Sequence, residues 1–171
     1  NFENRHWHAR VAANISPDEE ALLASARGKL LAARERRVRP ACDDKVLTSW
    51  NALMIEGMAH ASRVFGRADW LHSARRAVDF LRATLWREGR LLATARGGRA
   101  HLDAYLDDHA FLLAALLEMM QAEYRNDDLE FAVALADSLL ERFEDKDGGG
   151  FHFTAHDHEP LFHRPKSGHD N

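Results

Sequence analysis

The sequence predicts an all-α fold of tandem helical hairpins in two layers, and three observations carry that reading. Two units repeat along the chain: Asp43-Asp44 matches Asp107-Asp108 at an offset of 64, and Leu71-x-x-Ala74 matches Leu129-x-x-Ala132 at an offset of 58. Each unit reads Asp-Asp, apolar helix, short turn, amphipathic helix, glycine, β segment, and repeats of this size mark stacked supersecondary units. Helices that are apolar nearly all round alternate with helices that carry one apolar stripe, which assigns the first kind to an inner layer and the second to an outer one. That alternation describes an α/α toroid or solenoid rather than a simple bundle.

Taken in order, Ser16-Pro17-Asp18-Glu19 opens the first helix, with Ser as N-cap, Pro at the first helical position and Glu completing a capping box. Arg39-Pro40 closes it, so it is expected to end near Arg37. The second helix is expected from about Asp44 to Phe65, with Gly66 as its stop. Its Val46, Leu47, Trp50, Leu53, Met54, Ile55, Met58, Val64 and Phe65 leave no broad polar face. The third, from Ala68 to about Arg87, sets Trp70, Leu71, Ala74, Val78, Leu81 and Leu85 against Arg75, Arg76, Asp79 and Arg82. The fourth, Tyr105 to Tyr124, is again apolar all round through Phe111, Leu112, Leu113, Leu116, Leu117, Met119 and Met120. The fifth opens at Asn126-Asp127-Asp128 and ends near Glu144, with Leu135, Leu139 and Phe143 opposite Asp137, Glu141 and Arg142. Leu91 to Thr94 reads as a β segment ending at Gly97-Gly98, and Phe151 to Thr154 as another that pairs with Leu161-Phe162-His163.

A length of 171 residues suits one domain, expected over 16–171, with 1–15 as a linker or the cut edge of a preceding region. With 46% hydrophobic and 29% charged residues the chain has enough apolar surface to order itself. A net charge of −4 gives no pull toward nucleic acid or an anionic membrane, so neither is expected as a partner. The longest apolar run, Ala110 to Leu117, is far short of the roughly 20 residues of a membrane span. Cys42 is the single cysteine, which excludes an internal disulfide and fits a reducing, cytoplasmic compartment.

Chemistry concentrates at the two Asp doublets. Inner helices of a toroid run parallel, so the doublets are expected on one rim, with neighbouring helix axes about 8–10 Å apart. Inverting glycosidases hold their two carboxyls about 6.5–9.5 Å apart, which makes Asp44 and Asp108 the candidate catalytic pair and Asp43 and Asp107 substrate contacts. The alternative is that the four are N-caps favoured by the helix dipole. Trp50 and Asn51 suit a sugar site, the indole stacking on a pyranose face and the amide donating and accepting; a core Trp with a buried Asn is the other reading. Tyr105 and His109 flank the second doublet as further polar candidates. His152, His156, His158, His163 and His169 fit no zinc spacing, and Asp145 to Gly150 lacks a late acidic ligand, so no metal or other cofactor is expected. The basic run Arg27, Lys29, Arg34, Arg36, Arg37 and Arg39 lacks interleaved aromatics and reads as a solvated face docked on acidic protein.

Asp43-Asp44-Lys45-Val46-Leu47-Thr48-Ser49-Trp50-Asn51, Tyr105-Leu106-Asp107-Asp108-His109-Ala110-Phe111-Leu112, Gly149-Gly150-Phe151 and Arg164-Pro165-Lys166 resemble the thioredoxin-domain-containing, spermatogenesis-associated family, from about Arg34 onward. The resemblance implies a partial (α/α)6 toroid similar to N-acylglucosamine 2-epimerase and several glycoside hydrolases, joined in the whole protein to a thioredoxin-like module. It completes the expected substrate-binding set with Arg164 and Lys166. The function it implies is a sugar hydrolase or epimerase of carbohydrate metabolism acting on a sugar or sugar-derived small molecule. The alternative is a non-catalytic binding or scaffold domain serving the thioredoxin-like module. Large apolar residues on the inner helices also predict self-association of the chain.

Overall fold

The computed structural model describes residues 14–158 and 162–166. It divides into two compact units that meet in sequence at Asp43 and Asp44. In the first, α1 (Pro17–Arg34) is capped as its sequence dictates: Ser16 Oγ accepts the Glu19 N–H, and the Glu19 carboxylate accepts the Ser16 N–H at 2.8 Å. No residue of α1 is buried.

The second unit runs β1 (Val46–Leu47), α2 (Thr48–Phe65), α3 (Ala68–Leu85), β2 (Trp86–Arg87), β3 (Arg90–Arg96), β4 (Arg99–Asp103), α4 (Leu106–Ala122) and α5 (Asn126–Phe143). It is the all-α toroid architecture the repeats predict: α2 and α4 lie side by side, α3 packs on α2 and α5 packs on α4. The contact between α2 and α4 is the most extensive in the unit. They run parallel, because Ser49 at the start of α2 meets Asp108 at the start of α4, while Arg63 at the end of α2 meets Glu118 and Gln121 near the end of α4. The core holds Ala52, Ile55 and Ala59 of α2, Val78 and Leu81 of α3, Leu112, Leu116 and Met119 of α4, and Leu135 of α5.

Several expected boundaries move. The second helix begins at Thr48, not Asp44, since Val46 and Leu47 are drawn into antiparallel pairing with Ala95 and Thr94 of β3. The third ends at Leu85, because Trp86 and Arg87 pair with Leu91 and Arg90 across a tight turn whose Glu88 and Gly89 have φ of 51° and 76°. The segment expected over Leu91 to Thr94 is longer, forming β3, and turns back through Gly97-Gly98 into β4, a strand the sequence reading missed. After α5 the chain forms an isolated bridge between Glu144 and Phe151. Of the expected partner segment, Leu161 lies outside the described residues and Phe162 and His163 form no strand; the Phe153 N–H donates to Pro165 O at 2.8 Å instead.

Burial also corrects two expectations. The second helix is not buried all round: Thr48, Ala52, Ile55, Ala59 and Ser62 form one packed face, while Trp50, Leu53, Met54, Val64 and Phe65 on the other are 48–72% exposed. Arg75, expected on the solvated side of the third helix, is buried, because the Asp128 carboxylate at the start of α5 accepts from both Arg75 and Arg82.

Candidate functional site

The end of the second unit where α2 and α4 begin is organised by one carboxylate. Asp108 Oδ1 accepts the Ser49 N–H and Oδ2 accepts the Tyr105 N–H, each at 2.9 Å. These amides are orphan donors of two different helix starts, so a single side chain joins both helices and complements both dipoles. Thr48, fully buried, adds a bond from Oγ1 to Leu92 O at 2.7 Å, tying the start of α2 to β3. Asp108 is 3% exposed, and burial raises its carboxyl to about 6; the accepted N–H bonds from Tyr105 and Ser49 oppose that rise and the neighbouring Asp107 adds to it.

Asp107 is half-buried and accepts the Asp108 N–H at 2.9 Å. His109 is buried, and its Nδ1 donates to Tyr105 O at 3.0 Å, which leaves Nε2 as the basic nitrogen with no protein partner. Burial lowers its pKa, with Arg142 and Arg90 adding repulsion against the bond to Tyr105 O. The Tyr105 ring stacks on Phe153 at 5.2 Å and Tyr105 is itself half-buried.

The other predicted residues part company. Asp44 is exposed and pairs with Arg96 at 2.7 Å, near the Gly97-Gly98 turn, while Asp108 is held at the helix starts, so the two have separate partner sets. Asp43 is exposed. Asn51 Nδ2 donates to Leu47 O at 2.7 Å, which uses its amide to finish the first turn of α2. Trp50, one residue past Ser49, is 72% exposed rather than buried in the core. Arg164 donates to Thr154 O at 2.6 Å, and Lys166 donates to Gly149 O at 2.7 Å while pairing with Asp145 at 2.6 Å. Asp145 also accepts the N–H groups of Gly148 and Asp147, and these bonds hold its carboxyl well below the usual range. Lys166 thus fastens the glycine-rich turn, while Arg164 holds the segment after it at Thr154.

Sequence reading missed Arg90 and Asp157. Asp157 accepts from both Arg90 and Arg142, and Arg90 also reaches Asp103 at 3.0 Å, which fastens the segment after α5 onto β3 and β4. Nothing in the local pattern marks Asp157, since its partners lie 67 and 15 residues away. Among the described residues no three His, Cys, Asp or Glu side chains gather as a metal site, and no helix is long and apolar enough to cross a membrane.

No family model matches the chain. Spermatogenesis-associated protein 20 of Homo sapiens is 33% identical over 154 residues, covering 82% of this chain and 20% of that protein. The Rattus norvegicus protein of the same name is 33% identical over 141 residues, covering 77% of this chain and 18% of its own length. The chain therefore spans about a fifth of the length of the curated relatives it matches. Cellobiose 2-epimerase from Spirochaeta thermophila superposes with a TM-score of 0.58 at 18% identity, over 64% of this chain and 28% of that one. A GH76 α-mannanase from Bacteroides thetaiotaomicron superposes with a TM-score of 0.60 at 15% identity, over 80% of this chain and 42% of that one. These likenesses support the spermatogenesis-associated resemblance and establish the (α/α)6 toroid fold.

Proposed function

We propose that this chain forms part of a carbohydrate-active toroid, a sugar hydrolase or epimerase, whose reacting end lies where α2 and α4 begin. One observation carries the reading: Asp108 locks the two helix starts together at the end where Trp50 stands exposed, within a fold shared with enzymes named for sugar chemistry. Trp50 is the stacking platform for a pyranose ring, and Asp107 is the carboxylate that meets substrate or water. Asp108, with its carboxyl near 6, retains a proton at mildly acidic pH and positions Asp107 and Tyr105 through the backbone. The whole protein joins this part to a thioredoxin-like module, and the exposed free Cys42 suits a cytoplasmic setting.

The test is turnover of free and β-linked or α-linked neutral sugars by this chain and by any longer natural form, with Asp107→Asn and Asp108→Asn variants. Loss of turnover in Asp107→Asn with the fold retained supports the reading. Undiminished turnover in both variants overturns it. A second reading, a non-catalytic sugar-binding or scaffold domain, is favoured by the engagement of both Asp108 oxygens with backbone N–H groups and of Asp44 with Arg96. Sugar binding without turnover, lost in Trp50→Ala, selects it.

A further inference from the structure

After α5 the chain turns back as a strap, residues 152–158, over the start of α4. Backbone bonds hold it at three places: the His152 N–H donates to Phe143 O at 2.8 Å, the His156 N–H to Arg142 O at 2.9 Å, and the Leu106 N–H to Phe153 O at 3.0 Å. Side chains add to these. Phe153 stacks on Tyr105 at 5.2 Å, His158 packs on the same ring at 5.5 Å, and Asp157 accepts from Arg90 of β3 and Arg142 of α5. His109 lies among these anchors. Its Nδ1 donates to Tyr105 O at 3.0 Å, its ring meets Phe143 at 4.9 Å, and Arg142 and Arg90 are near enough to repel a positive imidazole. The ring is 2% exposed and its Nε2 has no protein partner.

We propose that the strap is an acid-sensitive latch, closed over neutral His109 and released when that ring takes up a proton. A buried imidazolium needs an acceptor for its Nε2–H and a counter-charge, and the groups facing His109 offer neither. On α4 itself, Tyr105 O already takes the Nδ1–H, and both Asp108 oxygens accept backbone N–H groups. From α5 and β3 come the cations Arg142 and Arg90. On the strap, Asp157 is shared between those two guanidiniums, and on β4 Asp103 is engaged by Arg90. The strap's own imidazoles are placed elsewhere: His158 lies on Tyr105, His152 Nδ1 meets Arg164 O, and His156 is exposed. Burial first, then the two cations, hold His109 below its ordinary 6.5. Opening to water restores that ordinary value, so acid favours the open form. The opening constant rises up to about tenfold per pH unit below 6.5, to a ceiling of roughly thirtyfold near pH 5. Asp108, raised to about 6, acts with the opposite sign and tightens the helix starts as pH falls. The strap yields first because scattered single bonds hold it, whereas α4 and α5 are packed into the core. Its release uncovers Tyr105 and frees the Leu106 amide beside Asp107, whether or not that end of the unit acts on sugar.

Amide hydrogen exchange of this chain, read by NMR as protection factors at about pH 7.5 and about pH 5, tests the latch. Protection of the Leu106, His152 and His156 amides is expected to fall by about tenfold or more, while Ile55, Leu112 and Leu116 in the core keep theirs. His109→Gln, which cannot take up the proton, should remove the difference, and His158→Gln should retain it. An equal fall at strap and core, the same fall in His109→Gln, or its disappearance in His158→Gln overturns the proposal. Should His109→Gln not fold, the ring-nitrogen shifts of His109 in the wild type decide. They are expected to report a neutral ring until pH is below 6.5, and a ring that titrates at 6.5 or above in the folded chain overturns the latch.

Discussion

Replacing Asp128 with Asn tests whether the link between the two hairpins is electrostatic. Asp128 is 1% exposed at the start of α5, and its carboxylate accepts from Arg75 and Arg82 of α3, whose side chains are 5% and 27% exposed. The Asn variant leaves two guanidiniums without their counter-charge, and breaking a buried pair in this way costs about 3–5 kcal/mol. The low end applies here. Arg75 keeps contacts to Glu123 O and Glu123 Oε2 at 3.3 Å, and Arg82 is open enough to recover part of its hydration. A loss of about 3 kcal/mol in a unit of this size lowers Tm by roughly 10 °C, read by far-UV circular dichroism with urea titrations in parallel. The Nε–H groups of Arg75 and Arg82 lack protein acceptors, so the network is incompletely satisfied even in the native protein. An apolar triple replacement, Arg75→Met with Arg82→Met and Asp128→Leu, is accordingly expected to recover most of the loss. A loss below about 1 kcal/mol for Asp128→Asn would refute the claim that this triad joins the hairpins, and a triple variant less stable than the single one would refute the accounting of its cost.

Titration gives opposite signs at neighbouring residues. Asp108 is raised from 3.8 to about 6, so the stability it contributes is complete below 3.8 and is lost as pH rises through about 6, a change of about 3 kcal/mol. The difference between wild type and Asp108→Asn in unfolding free energy, measured across that window, should follow this curve; a flat difference sinks it. His109 is lowered, so its contribution is present above 6.5 and is lost as pH falls through its folded value; a His109→Gln variant should remove that acid-side loss. Gly66 ends α2 at φ 65°, where a Cβ is strained though space is open, so Gly66→Ala should cost about 1 kcal/mol in urea unfolding; a neutral or stabilising result counts against the left-handed stop. Ser16→Ala should remove about 1 kcal/mol of helix stability from α1, seen as reduced helicity of the first unit, and unchanged helicity would deny the cap.

What the sequence determined by itself was local. The capping box at Ser16 and Glu19, the stop at Gly66, the turn at Gly97-Gly98 and the five helices follow from propensities and periods that act over one or two turns, and the repeat of doublet, helix and helix was enough to place the chain among α/α toroids. The tertiary structure decided everything that needed a distant partner. Two similar Asp doublets met different fates: Asp44 found Arg96, 52 residues on, and stayed in solvent, whereas Asp108 was captured by the Ser49 amide 59 residues earlier and buried. Arg75 looked solvated on a helical wheel until Asp128, 53 residues on, drew it inside. The strand through His101 and Leu102 has little alternation of its own and exists because β3 offers it a ladder. A polar side chain carries the same local signal whether it caps, pairs or catalyses, and which it does is set by the dielectric and the donors that folding brings to it.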